Sequence, residues 1–228
     1  MRVLIGPEGD PSGLDIDDDA LAGLYAPRRR RWLRANMISS IDGAATGASG
    51  LSGSLNNPAD HRVFAMLRET ADVVLVGAGT AEAERYGPVD VPIVVVTRRG
   101  RVPTGLRVAD RGQVLLATCA AAPGLSGARA LLGADQVLVH GDQEVDLGAV
   151  VDELASRGMS RVLCEGGPHL LGDLLTAGLV DEVCMTTAPL WVGGGGPRVV
   201  ATGVLGRPST LHLLLEDEGT LLARWFLG

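Results

Sequence analysis

The stretch that decides the fold is Arg161–Thr176, RVLCEGGPHLLGDLLT, in which a short apolar run meets an acid, two glycines and a proline. Residues 161–164 predict a buried strand, because the run is short, partly β-branched and stopped by Gly166 and Gly167. Pro168 suits the first turn of a helix, where its missing N–H is not needed. Leucines then recur at three- and four-residue spacing, which predicts one buried helix face. The stretch therefore predicts a strand, a glycine turn and a helix.

The turn between this strand and helix has chemical consequences. The amides of Gly167, His169 and Leu170 would point out of the helix start, where the helix dipole favours an anion. Such junctions are also made simply to pack a strand closely against a helix, and on the glycines alone the two interpretations have equal weight. Glu165 shifts the balance, because it follows the strand where open α/β sheets place their ligands. We expect a phosphate-bearing ligand, with Glu165 accepting a hydrogen bond from another part of it.

Length and composition limit the class of protein. The chain has 228 residues, enough for one large domain, and its 46% hydrophobic and 3% aromatic content predicts a core of Val, Leu, Ala and Ile. We expect an N-terminal arm, residues 1–31, packed on a main domain of residues 32–228. Apolar runs stay below the roughly 18 residues of a membrane span, and the start lacks a secretory signal pattern, so a soluble cytoplasmic protein is expected.

Charge and cysteine usage limit the possible binding partners and the cellular compartment of the protein. The net charge of -7 argues against a nucleic-acid surface, which needs clustered cations. Cys119, Cys164 and Cys184 are odd in number and lie in or beside apolar runs. They are predicted to be buried packing residues in a reducing compartment rather than disulfides or zinc ligands. The histidines lack metal-ligand spacing, so no metal site is predicted.

Strand and helix patterns alternate along most of the chain. Strands are predicted at 3–5, 32–38, 71–76, 92–97, 114–117, 137–139, 161–164, 183–187, 210–216 and 221–226, and helices at 17–25, 58–70, 81–85, 146–157 and 168–176. The last two strands flank Asp217–Gly219 and predict a hairpin. The fold class is therefore α/β: a three-layer, mainly parallel twisted sheet with helices on both faces and a C-terminal antiparallel hairpin.

A second strand–glycine–helix junction lies at Gly77–Thr80. It lacks the third glycine of the dinucleotide fingerprint, since Glu82 stands at that position, and alone it is a weak signal. Two such junctions in one sheet fit a binding site for a dinucleotide, whose pyrophosphate would lie at the helix N-termini. The Thr80 hydroxyl would lie beside this pyrophosphate. Arg98 and Arg99 follow a strand end and fit the 2′-phosphate of NADP, although a pair of surface arginines without a ligand is nearly as good an interpretation.

Polar residues gather at the end of the strand 32–38. Asn36, Ser40 and Asp42 alternate toward one side and suit a polar substrate, although such residues also cap turns. The loop 44–54 is rich in Gly, Ser and Thr, which is typical of a mobile segment that closes over a ligand. Because a Gly-x-Ser-x-Gly elbow and a Cys–His pairing are not found, covalent acyl transfer is not expected.

Taken together, these motifs resemble a known family. Residues 36–43 (NMISSIDG), Leu67–Arg68, residues 73–80 (VVLVGAGT) with Glu84, and residues 165–168 (EGGP) are similar to the reductase domain of bacterial riboflavin biosynthesis. The similarity runs from about Trp32 to the C terminus and implies a dihydrofolate-reductase-like fold. Bifunctional members carry a zinc deaminase domain before the reductase, and residues 1–31 contain neither its His-x-Glu nor its Pro-Cys-x-x-Cys motif. A reductase chain standing alone is expected.

The resemblance implies an NADPH-dependent oxidoreductase, a pyrimidine reductase that transfers hydride to the ribosyl C1′ imine of 5-amino-6-(5-phosphoribosylamino)uracil. Asp42 and Glu165 are the expected catalytic residues, and the proton is expected from solvent or from an acid such as Asp42. Substrate binding is expected from Asn36, Ser40, Ser52, Arg68 and Glu165, with Arg68 facing the phosphate. Cofactor binding is expected from Gly79, Thr80, Glu84, Thr97, Arg98, Arg99, Gly166, Gly167, Pro168, His169, Leu170 and Leu171.

Two other functions remain open. A dihydrofolate- or pterin-type reductase on the same scaffold would turn over dihydrofolate. A noncatalytic NADP-binding protein would bind the cofactor without reducing any pyrimidine or pterin. The resemblance also implies a homodimer, in which the apolar run 183–192 with Trp191 forms part of the subunit surface, although core packing explains that run equally well.

Overall fold

The computed structural model describes residues 1–7, 15–110, 112–201, 203 and 205–228, and a single large sheet forms its centre. Its strands are β1 (Arg2–Ile5), β2 (Trp32–Ser39), β3 (Val73–Gly77), β4 (Ile93–Val96), β5 (Val114–Thr118), β6 (Val137–Val139), β7 (Arg161–Cys164), β8 (Glu182–Thr187), β9 (Ser209–Asp217) and β10 (Thr220–Leu227). The order across the sheet is β1-β9-β10-β8-β2-β7-β3-β4-β5-β6. From β8 to β6 the strands run parallel, whereas β10, β9 and β1 are antiparallel.

Helices cover both faces of the sheet. They are α1 (Asp18–Leu24), α2 (Pro58–Thr70), α3 (Ala78–Ala83), α4 (Leu125–Leu132), α5 (Leu147–Ser156) and α6 (Pro168–Thr176). One core lies under α1 to α4, and the other lies under α5 and α6. Within the described part of the chain, no helix combines the length and apolar character that a membrane crossing requires.

The predicted fold class is confirmed: the sheet is mainly parallel, is covered on both faces and ends in the antiparallel β9–β10 hairpin. Helix α2 begins as expected, because Asn57 accepts a hydrogen bond from the amide of Asp60 and Pro58 takes the first position. Helix α4 was not predicted. Its sequence contains a glycine, and it follows Gly124 without a side-chain cap, so the usual start signal is missing.

The N-terminal segment is fastened to the sheet by a buried charge cluster. Glu182 on β8 accepts hydrogen bonds from Arg34 (3.1 Å) and Arg224 (2.5 Å), and Arg224 also donates to the carbonyls of Leu24 and Ala26. Burial acts to raise the pKa of Glu182, but the two guanidinium groups outweigh it and hold that pKa below its usual value. The cluster therefore ties the end of α1 to β8 and β10, while β1 pairs with β9 at the sheet edge.

The three cysteines are buried free thiols, as predicted. Burial raises the pKa of Cys164 to about 12, so this side chain stays protonated directly beneath the turn that carries Glu165. The cysteines therefore act as core packing residues.

Candidate active site

A cleft of about 240 Å³ opens at the carboxyl ends of β2, β7 and β3. Neighbouring parallel strands end together at this edge, which is why residues far apart in sequence meet there. The cleft is lined by Asn36, Met37, Ile38, Ala45, Ser52, Gly53, Asn56, Asp60, Phe64, Arg68, Thr80, Glu84, Tyr86 and Glu165. Of the predicted site residues, Asn36, Ser52, Arg68, Thr80, Glu84 and Glu165 belong to this lining.

Glu165 and Arg68 form the centre of the cleft. The two Glu165 oxygens accept one hydrogen bond each from Nε and Nη2 of Arg68, both at 2.7 Å, and the Tyr86 hydroxyl donates to Oε2 at 2.6 Å. The Arg68 guanidinium also lies over the Phe64 ring, 4.3 Å from its centroid. This bidentate geometry fixes the direction in which the guanidinium faces the cleft.

Glu165 shifts the pKa values of both Arg68 and Tyr86. Burial acts to lower the pKa of Arg68, but the hydrogen bonds and negative charge of Glu165 outweigh it and raise that pKa above its usual value. Burial, followed by the adjacent Glu165 charge, raises the pKa of Tyr86 far above its usual value. The cleft therefore holds a permanent cation at Arg68 and a Tyr86 hydroxyl that keeps its proton.

Glu84 anchors the glycine-rich loop at the side of the cleft. Its Oε1 accepts hydrogen bonds from the amide and the hydroxyl of Ser52, at 2.7 and 2.8 Å. The sequence assigned Glu84 to the cofactor and Ser52 to the substrate, and the structure joins the two directly. The predicted loop is therefore held against α3 and forms a wall of the cleft.

Gly166 and Gly167, at the junction before α6, lie in close contact with neighbouring side chains. The amide of Gly77 donates to the carbonyl of Gly166 at 2.8 Å, which brings the starts of α3 and α6 side by side. A Cβ atom on Gly167 would lie 2.2 Å from Thr80 Oγ1, and one on Gly166 would lie 3.1 Å from Met37 Sδ. Any larger residue would therefore push the junctions apart.

The start of α6 carries backbone amides that the helix itself does not use. Gly167 provides no side-chain cap, and Pro168 occupies the first helical position. The amides of His169 and Leu170 lie in the first turn, where a helix supplies no acceptor. Because the adjoining surface at Gly79 also has open space where a Cβ would be, these donors fit the phosphate of a nucleotide.

Thr97, Arg98 and Arg99 lie outside the cleft lining, at the end of β4. Thr97 is buried and its hydroxyl accepts from the amide of Arg99 at 3.1 Å. Arg98 pairs with Glu144 at 3.0 Å in an exposed salt bridge. Exposed pairs of this kind are weak, so Arg98 can exchange Glu144 for another anion at low cost.

The structure does not support the proton-donor role predicted for Asp42. Its carboxylate is exposed and accepts hydrogen bonds from the Ser40 hydroxyl (2.6 Å) and from the amides of Val192 (3.2 Å) and Gly193 (2.7 Å). The Ser40 bond and then these amides lower the pKa of Asp42 to about 2, so it carries no proton to donate at neutral pH. Ser40 is likewise occupied, because its hydroxyl also accepts from the amide of Ala44. Both residues brace the turn after β2.

Asn36 and Asp60 give the cleft two buried acceptors. Asn36 was predicted, and its Oδ1 is buried without a hydrogen-bond partner among the described residues. Asp60 was not among the predicted site residues. Asp60, Val63 and Leu67 share one helix face at the spacing that predicted the inner side of α2, and that spacing was the missed signal. Tyr86 was also missed, because it follows α3 in a segment without regular pattern.

Comparisons with known proteins identify the family. The model of the RibD C-terminal domain matches residues 31–219. The chain is 33% identical over 188 residues to the 2,5-diamino-6-ribosylamino-4(3H)-pyrimidinone 5′-phosphate reductase of Methanothermobacter thermautotrophicus, covering 76% of this chain and 85% of that protein. It is 29% identical over 192 residues to the enzyme of the same name from Archaeoglobus fulgidus, covering 76% and 87%.

A solved structure shares the fold. The crystal structure of a pyrimidine reductase-like protein from Corynebacterium diphtheriae superposes with a TM-score of 0.81 at 22% identity, covering 93% of this chain and 99% of that one. The sheet order, the cleft and the sequence match thus agree, and the chain belongs to the RibD C-terminal domain family.

Proposed function

We propose that this protein is an NADPH-dependent reductase of riboflavin biosynthesis that reduces the ribosyl group of a ribosylaminopyrimidine 5′-phosphate to a ribityl chain. The observation that carries the proposal is the Glu165–Arg68–Tyr86 cluster, a fixed cation in a cleft beside two helix starts that can hold a nucleotide. Family membership and the names of the relatives support it.

Arg68 is the proposed anchor for the substrate phosphate. Among the residues that line the cleft, it is the cationic one, and its orientation is set by Glu165 and Phe64. A guanidinium held in this way loses little side-chain entropy when it binds an anion. Glu165 thus acts through Arg68, as a positioning residue, instead of taking a hydrogen bond directly from the substrate.

The cofactor would be held by Thr80 and by the turn from Gly166 to Leu171, with Arg98 and Arg99 available to the adenosine 2′-phosphate. When bound, NADPH supplies the hydride. The protein contributes the orientation of the ribosyl group, the positive potential of Arg68 and the exclusion of water by the Ser52–Glu84 wall. Because Asp42 is ionised and Tyr86 is held by Glu165, we propose that solvent supplies the proton.

The test is NADPH consumption by the purified protein with the phosphorylated ribosylaminopyrimidine, with dihydrofolate and NADH assayed in parallel. Arg68→Met should raise the KM for the pyrimidine about 10²-fold or more, since a charge-assisted contact is lost. Arg62→Met is the matched control on the same helix, because Arg62 pairs with Asp18 away from the cleft. Turnover of dihydrofolate alone, or of neither compound, would contradict the proposal.

The cofactor preference has its own test. Combined Arg98→Ala and Arg99→Ala substitutions should lower the ratio of kcat/KM for NADPH over NADH about tenfold, because both exposed cations lie at the end of β4. Arg101→Ala, also exposed, serves as the control. An unchanged ratio would show that these arginines do not recognise the 2′-phosphate.

We also propose that the protein is a homodimer. Trp191 is 75% exposed, beside exposed Leu190 and Ile41, and the amide of Ile41 donates to the carbonyl of Leu190 at 2.9 Å, so the three form one apolar patch. Sedimentation should show a dimer that Trp191→Ser weakens. A monomer at all concentrations would refute this assembly.

A further inference from the structure

Two oxygen-bearing side chains in the cleft are buried with few hydrogen-bond partners among the described residues. Asp60 is 5% exposed and Asn36 is 8% exposed, and both line the cleft. Among the described residues, none hydrogen-bonds to Asn36 Oδ1. Within the described chain Asp60 makes no salt bridge, and Arg68, the cleft's cation, is engaged by Glu165.

A buried carboxyl without a cation is unfavourable for the folded protein. Burial raises the pKa of Asp60, and a hydrogen bond from the Thr186 hydroxyl offsets only part of this effect. The helix does not need the carboxyl as a cap, because that role belongs to Asn57. Thr186 leaves Asp60 without a cation in the cleft, so its carboxyl can accept further hydrogen bonds, such as those from the N–H donors of a ligand.

We infer that Asp60, together with Asn36, binds the N–H edge of a 2-aminopyrimidinone, so that the enzyme selects the diaminopyrimidinone over the corresponding pyrimidinedione. This inference rests on the proposed function. A 2-amino-4(3H)-pyrimidinone carries the C2 amino group beside N3–H, which gives N–H donors for the Asp60 carboxylate and for the Asn36 amide oxygen in the same cleft. The pyrimidinedione carries an oxygen at C2, and that acceptor would face the acceptor of Asp60.

The expected discrimination is large because a mismatched substrate leaves a buried group unpaired. A site built to hydrogen-bond a substrate N–H rejects an analogue without it far more strongly than an apolar pocket rejects one with a missing methylene. We expect the wild-type protein to favour the diaminopyrimidinone in kcat/KM by about 10⁴-fold. Asp60 is thus a specificity-determining residue.

The test measures kcat/KM at saturating NADPH for 2,5-diamino-6-ribosylamino-4(3H)-pyrimidinone 5′-phosphate and for the matching pyrimidinedione. Asp60→Asn should remove or invert the preference, because the Asn amide can donate to the C2 oxygen. Glu69→Gln is the matched control, an exposed carboxylate on the same helix, and it should leave the ratio unchanged. The KM for NADPH should stay unchanged in both variants.

The outcomes separate the two proposals. If wild type reduces both pyrimidines equally or prefers the pyrimidinedione, the role of Asp60 is refuted and the reductase proposal stands. An unchanged ratio in folded Asp60→Asn refutes it as well. If wild type reduces neither, both proposals fall. The wild-type ratio requires no variant, so a folding defect in Asp60→Asn does not block the test.

Discussion

Replacing Glu165 with Gln removes one charge from the centre of the cleft and leaves the Arg68 guanidinium without its partner. Glu165 accepts two hydrogen bonds from Arg68 and one from Tyr86, all between 2.6 and 2.7 Å. A glutamine keeps one oxygen, but its NH₂ group would face an Arg68 donor. We therefore expect Glu165→Gln to lower both the free energy of unfolding and the substrate affinity.

The expected loss of unfolding free energy depends on how deeply the Glu165–Arg68 pair is buried. Removing one partner of a buried ion pair costs roughly 3–5 kcal/mol. The Glu165 side chain is 2% exposed and that of Arg68 is 23% exposed, so water screens part of the loss and the lower end, about 3 kcal/mol, applies. At about 2–4 °C per kcal/mol for a chain of this size, Tm should fall by about 6–12 °C.

The assay is a double-mutant cycle of Glu165→Gln and Arg68→Met, followed by urea unfolding. The expected coupling energy is about 2–3 kcal/mol. Each single variant leaves one buried charge without its counter-charge, whereas the double variant removes both charges. Arg62 and Asp18 provide the matched control, because they form a more exposed pair at 2.7 Å between α2 and α1. Their coupling should stay below about 1 kcal/mol.

The reasoning would be refuted by a Glu165–Arg68 coupling within about 0.5 kcal/mol of zero, which is the scatter of independent sites. In that case Glu165 and Arg68 would contribute independently to stability, and the orientation of Arg68 would need another explanation.

Three further predictions concern single positions. Because Asp42 has a pKa of about 2 when folded against an ordinary value of 3.8, it stabilises the fold above about pH 4, so the Tm advantage of wild type over Asp42→Asn should vanish as pH falls toward about 2. Gly167→Ala should lower Tm through contact with Thr80 Oγ1, and Thr80→Ala in the same chain should restore part of it; no recovery would place the strain elsewhere. The raised pKa of Asp60 means that its ionised form weakens the fold, so Asp60→Asn should melt at or above the wild-type Tm at pH 7, and a marked fall would show that Asp60 has a stabilising partner.

Most of the fold was accessible from local patterns. The strand–glycine–helix order at residues 161–176 places the start of α6 correctly, because its signals lie within a few residues, whereas α3 begins at Ala78, three residues before the predicted start. Helix α4 lacked such signals. The sheet order could not be derived, since it depends on pairings such as β2 with β7 and β8 between distant segments.

The site was only partly predictable. The residues Asn36, Arg68 and Glu165 were identified, but their contacts depend on tertiary geometry that sequence spacing does not encode. Asp60 sits on a face shared with apolar residues, so its burial could have been inferred from periodicity. The bracing role of Asp42 could not, because its partners Val192 and Gly193 lie about 150 positions away along the chain.

The central claim is that this cleft reduces the ribosyl group of a phosphorylated aminopyrimidine. The most direct measurement is the fate of deuterium from deuterated NADPH during turnover of 2,5-diamino-6-ribosylamino-4(3H)-pyrimidinone 5′-phosphate. The account predicts a ribityl product with deuterium at C1′, formed by wild type and strongly reduced in Arg68→Met. Cofactor binding without deuterium transfer, or transfer only to a pterin ring, would contradict it.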